Sequence, residues 1–206
     1  MIIKTFHTGP LAVNTYIAAD ETTKKAFVVD PGGYNADMVN YIKDNHFELE
    51  YIILTHGHGD HIGGVPGLMK DFPGAMLAVG ILDRPMVEDA KVNMSAMIYG
   101  YPVSFTADRC LTDGETLKIG DMELKFIHTP GHTPGGMCIL VGDVLFSGDT
   151  LFEQSIGRTD FPGSSYTDIV KSIKEKLFAL PDDTKVMPGH MGLTTIGYEK
   201  ESNPFV

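Results

Sequence analysis

The amino-acid sequence predicts an α/β protein. Short runs of apolar, often β-branched residues that are typical of strands alternate with segments whose apolar residues recur at helical spacing. This strand-then-helix order occurs twice, over approximately residues 1–100 and again over 112–206. No linker-like or low-complexity stretch separates the halves, so we expect residues 1–206 to form a single domain.

The first half is expected to begin with a hairpin, because two strand-like runs flank the polar turn at residues 20–23. The continuous apolar run at 51–54 is typical of a strand that is buried on both faces. The methionine-rich segment 81–100 is less regular and predicts short helices. Strands are therefore predicted at 15–18, 26–29 and 51–54, and longer helices at 36–45 and 62–71.

The second half contains two hairpin signals, at Gly120-Asp121 and at Gly142-Asp143. Apolar residues in 165–178 recur at helical spacing and predict an amphipathic helix. The predicted strands are 116–119, 122–127, 137–141, 144–147 and 185–187.

Composition excludes several classes of protein. Apolar residues make up 43% of the 206 positions and charged residues 21%, as in ordinary globular proteins. With 27 acidic and 16 basic residues the net charge is −11, and no basic run occurs. A chain of this kind is not expected to bind nucleic acid or an anionic membrane as its main partner.

The remaining global features point to the cytoplasm. Cys110 and Cys138 are too few for a disulfide framework and are expected to be core thiols in a reducing compartment. The N-terminus does not resemble a signal peptide. No apolar stretch reaches the roughly 18 residues that a transmembrane helix requires.

The candidate functional residues lie in turn-rich segments that directly follow predicted strands. Five of the eight histidines are found there, and loops at strand ends are where a rigid scaffold can aim several side chains at one point. Taken singly, a loop Asp or a Gly-His pair more often reflects turn chemistry. The candidates are His56, His58, Asp60 and His61 in the first segment, then His132, Asp149 and His190.

The segment 55–61 carries the strongest signal, because it places three imidazoles and one carboxylate within six residues. Such groups repel when protonated and are costly when buried without partners, so a fold without metal gains little from them. Five imidazoles and two carboxylates exceed one closed tetrahedral site. They suit two ions about 3.5–4 Å apart that share a carboxylate. We expect two divalent ions, zinc first, with iron or manganese also compatible.

The segment Thr55-His56-Gly57-His58-Gly59-Asp60-His61 resembles the T-H-x-H-x-D-H signature of the metallo-β-lactamase superfamily. The other candidate ligands follow in the family's order. The resemblance implies a four-layer αββα sandwich, in which two mixed sheets are flanked by helices. It also implies one metal site of His56, His58 and His132, a second of Asp60, His61 and His190, and Asp149 as the bridge.

Segments 148–152, 156–163 and 203–205 look like the small glyoxalase-II-like hydrolases of bacteria. That resemblance implies hydrolysis of a small-molecule thioester, such as an S-2-hydroxyacylglutathione, with Asp60 orienting the nucleophile and Arg158 contacting the substrate. Full-length glyoxalase II has an additional C-terminal helical domain and a tyrosine after its last histidine ligand. Here Met191 follows His190, and nothing in the chain supplies that domain.

Three alternatives stay open at this stage. Persulfide dioxygenases, which use one Fe(II), share the T-H-x-H-x-D-H segment and a stretch like 157–161. A lactamase or lactonase is less favoured. A metal-binding protein without catalysis is a candidate of another class. The oligomeric state is not predicted.

Some residues are expected to have structural roles. Asp30 ends a predicted strand and is expected to act as a cap or turn residue. The methionines in 86–97 are expected mainly in the core, and Tyr99 and Tyr101 are candidates for a pocket wall. Arg158 has an alternative interpretation as the partner of Asp160 or Glu153 in a salt bridge.

Overall fold

Two six-stranded sheets form the centre of the protein, in a computed structural model that describes residues 1–206. In the first sheet the strands neighbour one another in chain order. The first three strands pair antiparallel, and the later ones pair parallel. These strands are β1 (Ile2–Thr8), β2 (Val13–Ala19), β3 (Lys25–Val29), β4 (Glu48–Leu54), β5 (Met76–Gly80) and β6 (Arg109–Leu111).

The second sheet also has six strands and is antiparallel except for one parallel pair, formed by Val144–Gly148 and Lys185–Pro188. A separate short hairpin consists of β11 (Leu151–Phe152) and β12 (Ser155–Ile156). The strands of the second sheet, in spatial order, are β14 (Thr194–Thr195), β13 (Lys185–Pro188), β10 (Val144–Gly148), β9 (Met137–Val141), β8 (Met122–His128) and β7 (Thr116–Ile119).

Helices cover the outer faces of both sheets. On the first sheet lie α1 (Ala36–Asp44), α2 (Gly59–Ile62) and α3 (Val65–Asp71), followed by a 3-10 turn (Ile81–Asp83), α4 (Arg84–Glu88) and α5 (Ser95–Tyr99). On the second sheet lie α6 (Tyr166–Ser172), continued by a wider π turn (Ile173–Leu177), and α7 (Ile196–Ser202).

The apolar core has three parts, which correspond to the interfaces between four layers. The central part joins the two sheets and contains Phe27 and Ile53 from the first sheet and Phe126 and Phe146 from the second. The two outer parts join each sheet to its own helices. This αββα arrangement is the predicted fold class, and the division between the halves falls between β6 and β7.

The predicted helix over 62–71 is wrong in one respect, because it is interrupted at Gly63–Gly64. A side chain at Gly63 would meet the ring of Tyr99, and one at Gly64 would meet the backbone of Gly33, each at less than 3 Å. These close contacts explain why both positions are glycine, between the end of α2 at Ile62 and the start of α3 at Val65. This break places Asp60 and His61 on a helical turn of their own.

The helix predicted over 165–178 is confirmed in extent. Its N-terminus is capped by the Ser165 hydroxyl, which accepts a hydrogen bond from the Asp168 N–H. No helix in the structure combines the length and the apolar character needed to cross a membrane.

Candidate metal centre

All seven candidate ligands converge at one edge of the two sheets. Each follows the end of a strand: the segment 55–61 follows β4, His132 follows β8, Asp149 follows β10 and His190 follows β13. The strands are held rigidly by their ladders, so the loops at their ends can place side chains with little freedom. The structure thus brings together residues that are up to 134 positions apart in sequence, from His56 to His190.

Two halves of the segment 55–61 point to different parts of the site. His56 lies in a bend and His58 in extended backbone before α2, whereas Asp60 and His61 lie on α2 itself. Gly59 allows this segment to pass close to Ser95, because a Cβ there would lie 2.7 Å from the backbone of that residue. One short segment therefore supplies ligands to two separate clusters.

The first cluster consists of His56, His58 and His132, which we call the imidazole triad. One nitrogen of each ring lies within 4.8 Å of the others, and His58 Nδ1 is 2.9 Å from His132 Nε2. Burial, reinforced by mutual repulsion between the rings, lowers the pKa of His56 well below its usual value. The same causes lower the pKa of His58 to about 4. The rings of His56 and His58 are therefore neutral at pH 7, with lone pairs available to a metal.

The second cluster consists of Asp60, His61 and His190, which we call the mixed triad. Its ligand atoms also lie within 4.8 Å of one another, with Asp60 Oδ2 3.3 Å from His190 Nε2. Burial alone would lower the pKa of His61, but the surrounding carboxylates of Asp149, Asp60 and Asp30 outweigh it and raise the pKa. In the metal-free protein a proton on His61 thus supplies the positive charge that these carboxylates favour.

Asp149 lies between the two triads. Its Oδ1 is 3.3 Å from His61 Nε2, and its Oδ2 is 3.6 Å from His132 Nε2 and 3.8 Å from His190 Nε2. Burial opposes ionisation of Asp149, but the nearby imidazoles, His61 above all, hold its pKa well below the usual range. One ionised carboxylate therefore faces both clusters.

The polar atoms at the centre of the site fit a bound metal. His56 Nε2, His61 Nε2 and Asp149 Oδ1 are buried without any hydrogen-bond partner. Folded proteins rarely leave such atoms unpaired, because their lost hydration is not replaced. The donors are nitrogen and carboxylate oxygen, which suit zinc, iron or manganese. The residues present are thus a suitable ligand set for divalent metal.

The outer nitrogens of the rings are held by groups that sequence reasoning did not identify. His61 Nδ1 is 3.0 Å from Asp30 Oδ2, and His56 Nδ1 is 3.1 Å from Thr55 Oγ1. The Thr55 hydroxyl donates in turn to Asp30 Oδ2 at 2.6 Å. His132 Nδ1 lies 2.8 Å from the Arg158 carbonyl. Partners of this kind fix the ring orientation and direct the opposite nitrogen towards the metal position.

The expectation that Asp30 acts as a cap or turn residue is therefore wrong. Its side chain is buried, accepts the Thr55 N–H at 2.7 Å, and supports one histidine of each triad, His61 directly and His56 through Thr55. Its position at the end of β3, before Pro31-Gly32-Gly33, is the only signal in the sequence that could have indicated this role.

A second buried carboxylate, Asp83, joins two of the ligand-bearing loops. It accepts hydrogen bonds from the Gly57 N–H at 3.0 Å, the Thr133 hydroxyl at 2.7 Å and the Gly135 N–H at 2.7 Å. Gly57 lies between His56 and His58, and Thr133 follows His132. Asp83 therefore holds the two loops of the imidazole triad at a fixed separation.

A cavity of about 480 Å³ opens onto the triads and includes His58, Asp60, His132, Asp149 and His190 in its wall. The rest of the wall is largely apolar. It consists of Leu11, Asn93, Met94, Met97, Ile98, Phe152, Ser155, Ile156, Arg158, Phe161 and Met191.

The residues that line the cavity differ from two of the expectations drawn from the sequence. Met86 is buried as expected, but Met94 and Met97 line the cavity. Tyr99 does not line it, and its hydroxyl instead donates to the carbonyl oxygens of Gly32 and Asp60. Tyr99 thereby supports the backbone that carries one of the candidate ligands.

Arg158 forms the salt bridge with Asp160 that was its alternative interpretation. Its guanidinium is exposed and pairs with Asp160, with Nε to Oδ1 at 2.9 Å and Nη2 to Oδ2 at 2.7 Å. It also lies over the ring of Phe161, 4.4 Å from the centroid, and forms part of the cavity wall. Arg158 is the only lysine or arginine that lines the cavity.

The chain resembles known proteins over most of its length. The sequence model of a family described as the metallo-beta-lactamase superfamily matches residues 8–190. A hydroxyacylglutathione hydrolase, GloC of Haemophilus influenzae, is 37% identical over 188 residues, which cover 89% of this chain and 88% of that protein.

Two solved structures extend the comparison. The BLEG-1 B3 metallo-beta-lactamase superposes with a TM-score of 0.92 at 38% identity, covering 99% of each chain. TTHA1623, solved in a di-iron-bound form, superposes with a TM-score of 0.86 at 32% identity, covering 98% of this chain and 100% of that one. These superpositions confirm the predicted fold class.

Proposed function

The chain belongs to the metallo-β-lactamase superfamily, and we propose that it is a binuclear metal-dependent hydrolase of thioesters in which residues 1–206 form one domain. The observation that carries the proposal is the position of Asp149, whose two carboxylate oxygens lie 3.3–3.8 Å from imidazole nitrogens of both triads. A site for one ion would need only one of these triads. A carboxylate between two triads is the arrangement typical of paired ions.

In this proposal His56, His58 and His132 would hold one ion and Asp60, His61 and His190 the other, with Asp149 shared between them. Zinc is the first expectation, and iron and manganese suit the same donors. The di-iron form of TTHA1623 supports the count of two. When bound, the ions would lower the pKa of water towards about 7 and polarise a carbonyl group.

The side chains of the site would then orient the reactants. Burial opposes ionisation of Asp60, but the nearby His61 and a hydrogen bond from His190 outweigh it and lower the pKa of Asp60. Asp60 is therefore an ionised acceptor at pH 7, and we assign to it the orientation of the attacking water. Hydrolysis adds water across the C–S bond and gives a carboxylate and a thiol. A thiolate is a good leaving group, so the reaction needs no dedicated general acid.

The first substrate to test is an S-2-hydroxyacylglutathione, because GloC of Haemophilus influenzae is described as a hydroxyacylglutathione hydrolase. Arg158, in the cavity wall, is proposed as a contact for the substrate. The similarity to BLEG-1, described as a B3 metallo-beta-lactamase, favours a β-lactam as the second candidate substrate.

Metal analysis and three assays test this function. The purified protein should contain two divalent ions per chain and should hydrolyse S-lactoylglutathione. One iron per chain with oxygen uptake on glutathione persulfide would instead identify a mononuclear dioxygenase. Turnover of a β-lactam or lactone but not of thioesters would reassign the substrate. Two ions without turnover of any of these compounds would identify a metal-binding protein and would contradict the proposal.

A further inference from the structure

The cavity wall opposite the triads is apolar and partly exposed. Met97, Leu11 and Met191 line it, and they are 71%, 54% and 61% exposed. Proteins rarely leave several large apolar side chains exposed around one cavity unless a ligand or partner covers them. Met94, Ile98 and Phe161 continue this surface inwards, and the ring centroid of Phe161 lies 4.9 Å from that of His58. The apolar surface therefore extends from the solvent to the imidazole triad.

The same cavity has few groups that could bind an anionic ligand. Arg158 is its only lysine or arginine, and both carboxylate oxygens of Asp160 already pair with it. The chain as a whole carries a charge of −11. Glutathione carries two carboxylates, and a charged group gains little from a site where the cation is exposed and already paired. Ionic contacts are thus a poor source of affinity for the thiol portion of a glutathione thioester.

We infer that an apolar acyl chain supplies most of the substrate's affinity, so that the preferred substrates are thioesters of apolar acids rather than of short hydroxy acids. This inference rests on the proposed function, because it assigns a substrate class to the same site. The acyl carbonyl would lie at the triads, and its chain would lie along Phe161, Met94 and Met97. Methionine side chains are flexible and polarisable, and they adapt to chains of different length. A volume of about 480 Å³ lies within the range of small-ligand pockets.

Binding of the carboxylate products tests the inference without requiring turnover. Acetate, butanoate, hexanoate and octanoate would be titrated into the metal-loaded protein by calorimetry. Each CH₂ group buried against the wall should lower Kd by about fourfold, so hexanoate should bind far more tightly than acetate. A Kd that does not change with chain length would overturn the inference.

A kinetic series on thioesters gives the second readout. Hexanoyl N-acetylcysteamine should have a lower KM than acetyl N-acetylcysteamine. The acetyl thioesters of glutathione and of N-acetylcysteamine should have KM values within about threefold of each other, since the exposed, paired Arg158 adds little. A KM more than about tenfold lower for the glutathione ester would show that its charges are recognised and would contradict the inference.

The double variant Met97→Gln, Leu11→Gln replaces exposed apolar side chains by polar ones at the cavity mouth. It should raise Kd for octanoate by about tenfold and change Kd for acetate by less than about twofold. Leu82→Gln is the matched control, because Leu82 is 56% exposed and is not part of the cavity wall. If the double variant and the control bound octanoate with the same affinity, Met97 and Leu11 would not contact the acyl chain, which would contradict the inference.

Failure of this inference can be distinguished from failure of the proposed function. If thioesters are not hydrolysed but carboxylate affinity still increases with chain length, the proposed reaction is wrong and the apolar site remains. If thioesters are hydrolysed but chain length affects neither Kd nor KM, the reaction remains and the substrate class is wrong.

Discussion

The imidazole triad and the mixed triad occupy one site but differ in charge. In the imidazole triad, burial and repulsion between the rings lower the pKa of His56 and of His58, so both of these rings are neutral at pH 7. In the mixed triad, His61 faces three carboxylates, which raise its pKa despite complete burial. Two histidines from one short segment of the chain therefore have opposite pKa shifts.

This difference shows that the neighbours of a histidine, rather than its burial, decide its protonation state here. His56 and His61 are both buried, and their ring centroids are only 4.1 Å apart. The carboxylates lie on the His61 side, so the mixed triad attracts a cation whether that cation is a proton or a metal. We therefore expect the two metal positions to respond differently to substitution and to pH.

The largest effect is expected at Asp149, which lies between the two triads. Asp149→Ala should reduce the metal content below two ions per chain and lower kcat by at least about a thousandfold, since metal stabilisation of the transition state amounts to several kcal/mol. Metal analysis and thioester turnover measure both outcomes. Asp143→Ala removes an exposed carboxylate that pairs with Lys185 and is the matched control. Unchanged metal content and activity in Asp149→Ala would show that Asp149 does not bridge the triads.

Lowering the pH should separate the two positions. An ion in the mixed triad must displace the proton from His61, so its affinity should fall about tenfold per pH unit and about a hundredfold from pH 7.5 to 5.5. The lowered pKa values of His56 and of His58, the latter about 4, keep these two ligands of the imidazole triad neutral over this range. Metal content measured after dialysis at each pH should therefore fall from two ions to one before it falls to zero. Loss of both ions over the same pH range would contradict the expected difference in pH dependence between the two triads.

Asp30→Asn should weaken both positions, because Asp30 supports His61 directly and His56 through Thr55. An amide has only one acceptor oxygen, so one donor loses its partner. We expect each metal affinity to fall by about 10- to 100-fold, as is usual for groups that orient metal-binding histidines. Competition with a chelator measures both affinities. Asp71→Asn, which alters a hydrogen bond from Tyr34 at the surface, should leave them unchanged.

Thr55→Val should have the smallest effect and should act mainly on the imidazole triad. It removes the hydroxyl 3.1 Å from His56 Nδ1 but leaves the contact between Asp30 and His61. The affinity of that triad should fall by about tenfold, at the lower end of the range for such groups. The same chelator titration detects it. Equal weakening of both positions would show that Thr55 acts through Asp30 on the whole site rather than on His56 alone.

Much of this arrangement could be predicted from local sequence patterns. The strands before each candidate ligand are short apolar runs that end at glycine, proline or polar residues, so the sequence predicts where the loops begin. In contrast, β1, β5 and β6 were not predicted. β6 is only three residues long and β1 is only partly buried, so neither shows a clear pattern of alternating burial.

The groups that orient the ligands could not be predicted, because they act across long sequence separations. Asp30 contacts His61 from 31 positions away, and Asp83 contacts Gly135 from 52 positions away. A single Asp at the end of a strand is more often a cap, and only the fold shows that its carboxylate is buried beside a histidine. Met97 is a similar case, because its position on the short helix α5 decides that it faces the cavity rather than the core.

We propose that seven side chains form two adjoining metal positions that share Asp149. Anomalous diffraction from crystals of the metal-loaded protein would locate the ions at these positions. We predict two metal peaks about 3.5–4 Å apart, with Asp149 bound to both, as is typical of paired ions. A single peak within one triad, with the other triad empty at full occupancy of the first, would contradict the claim.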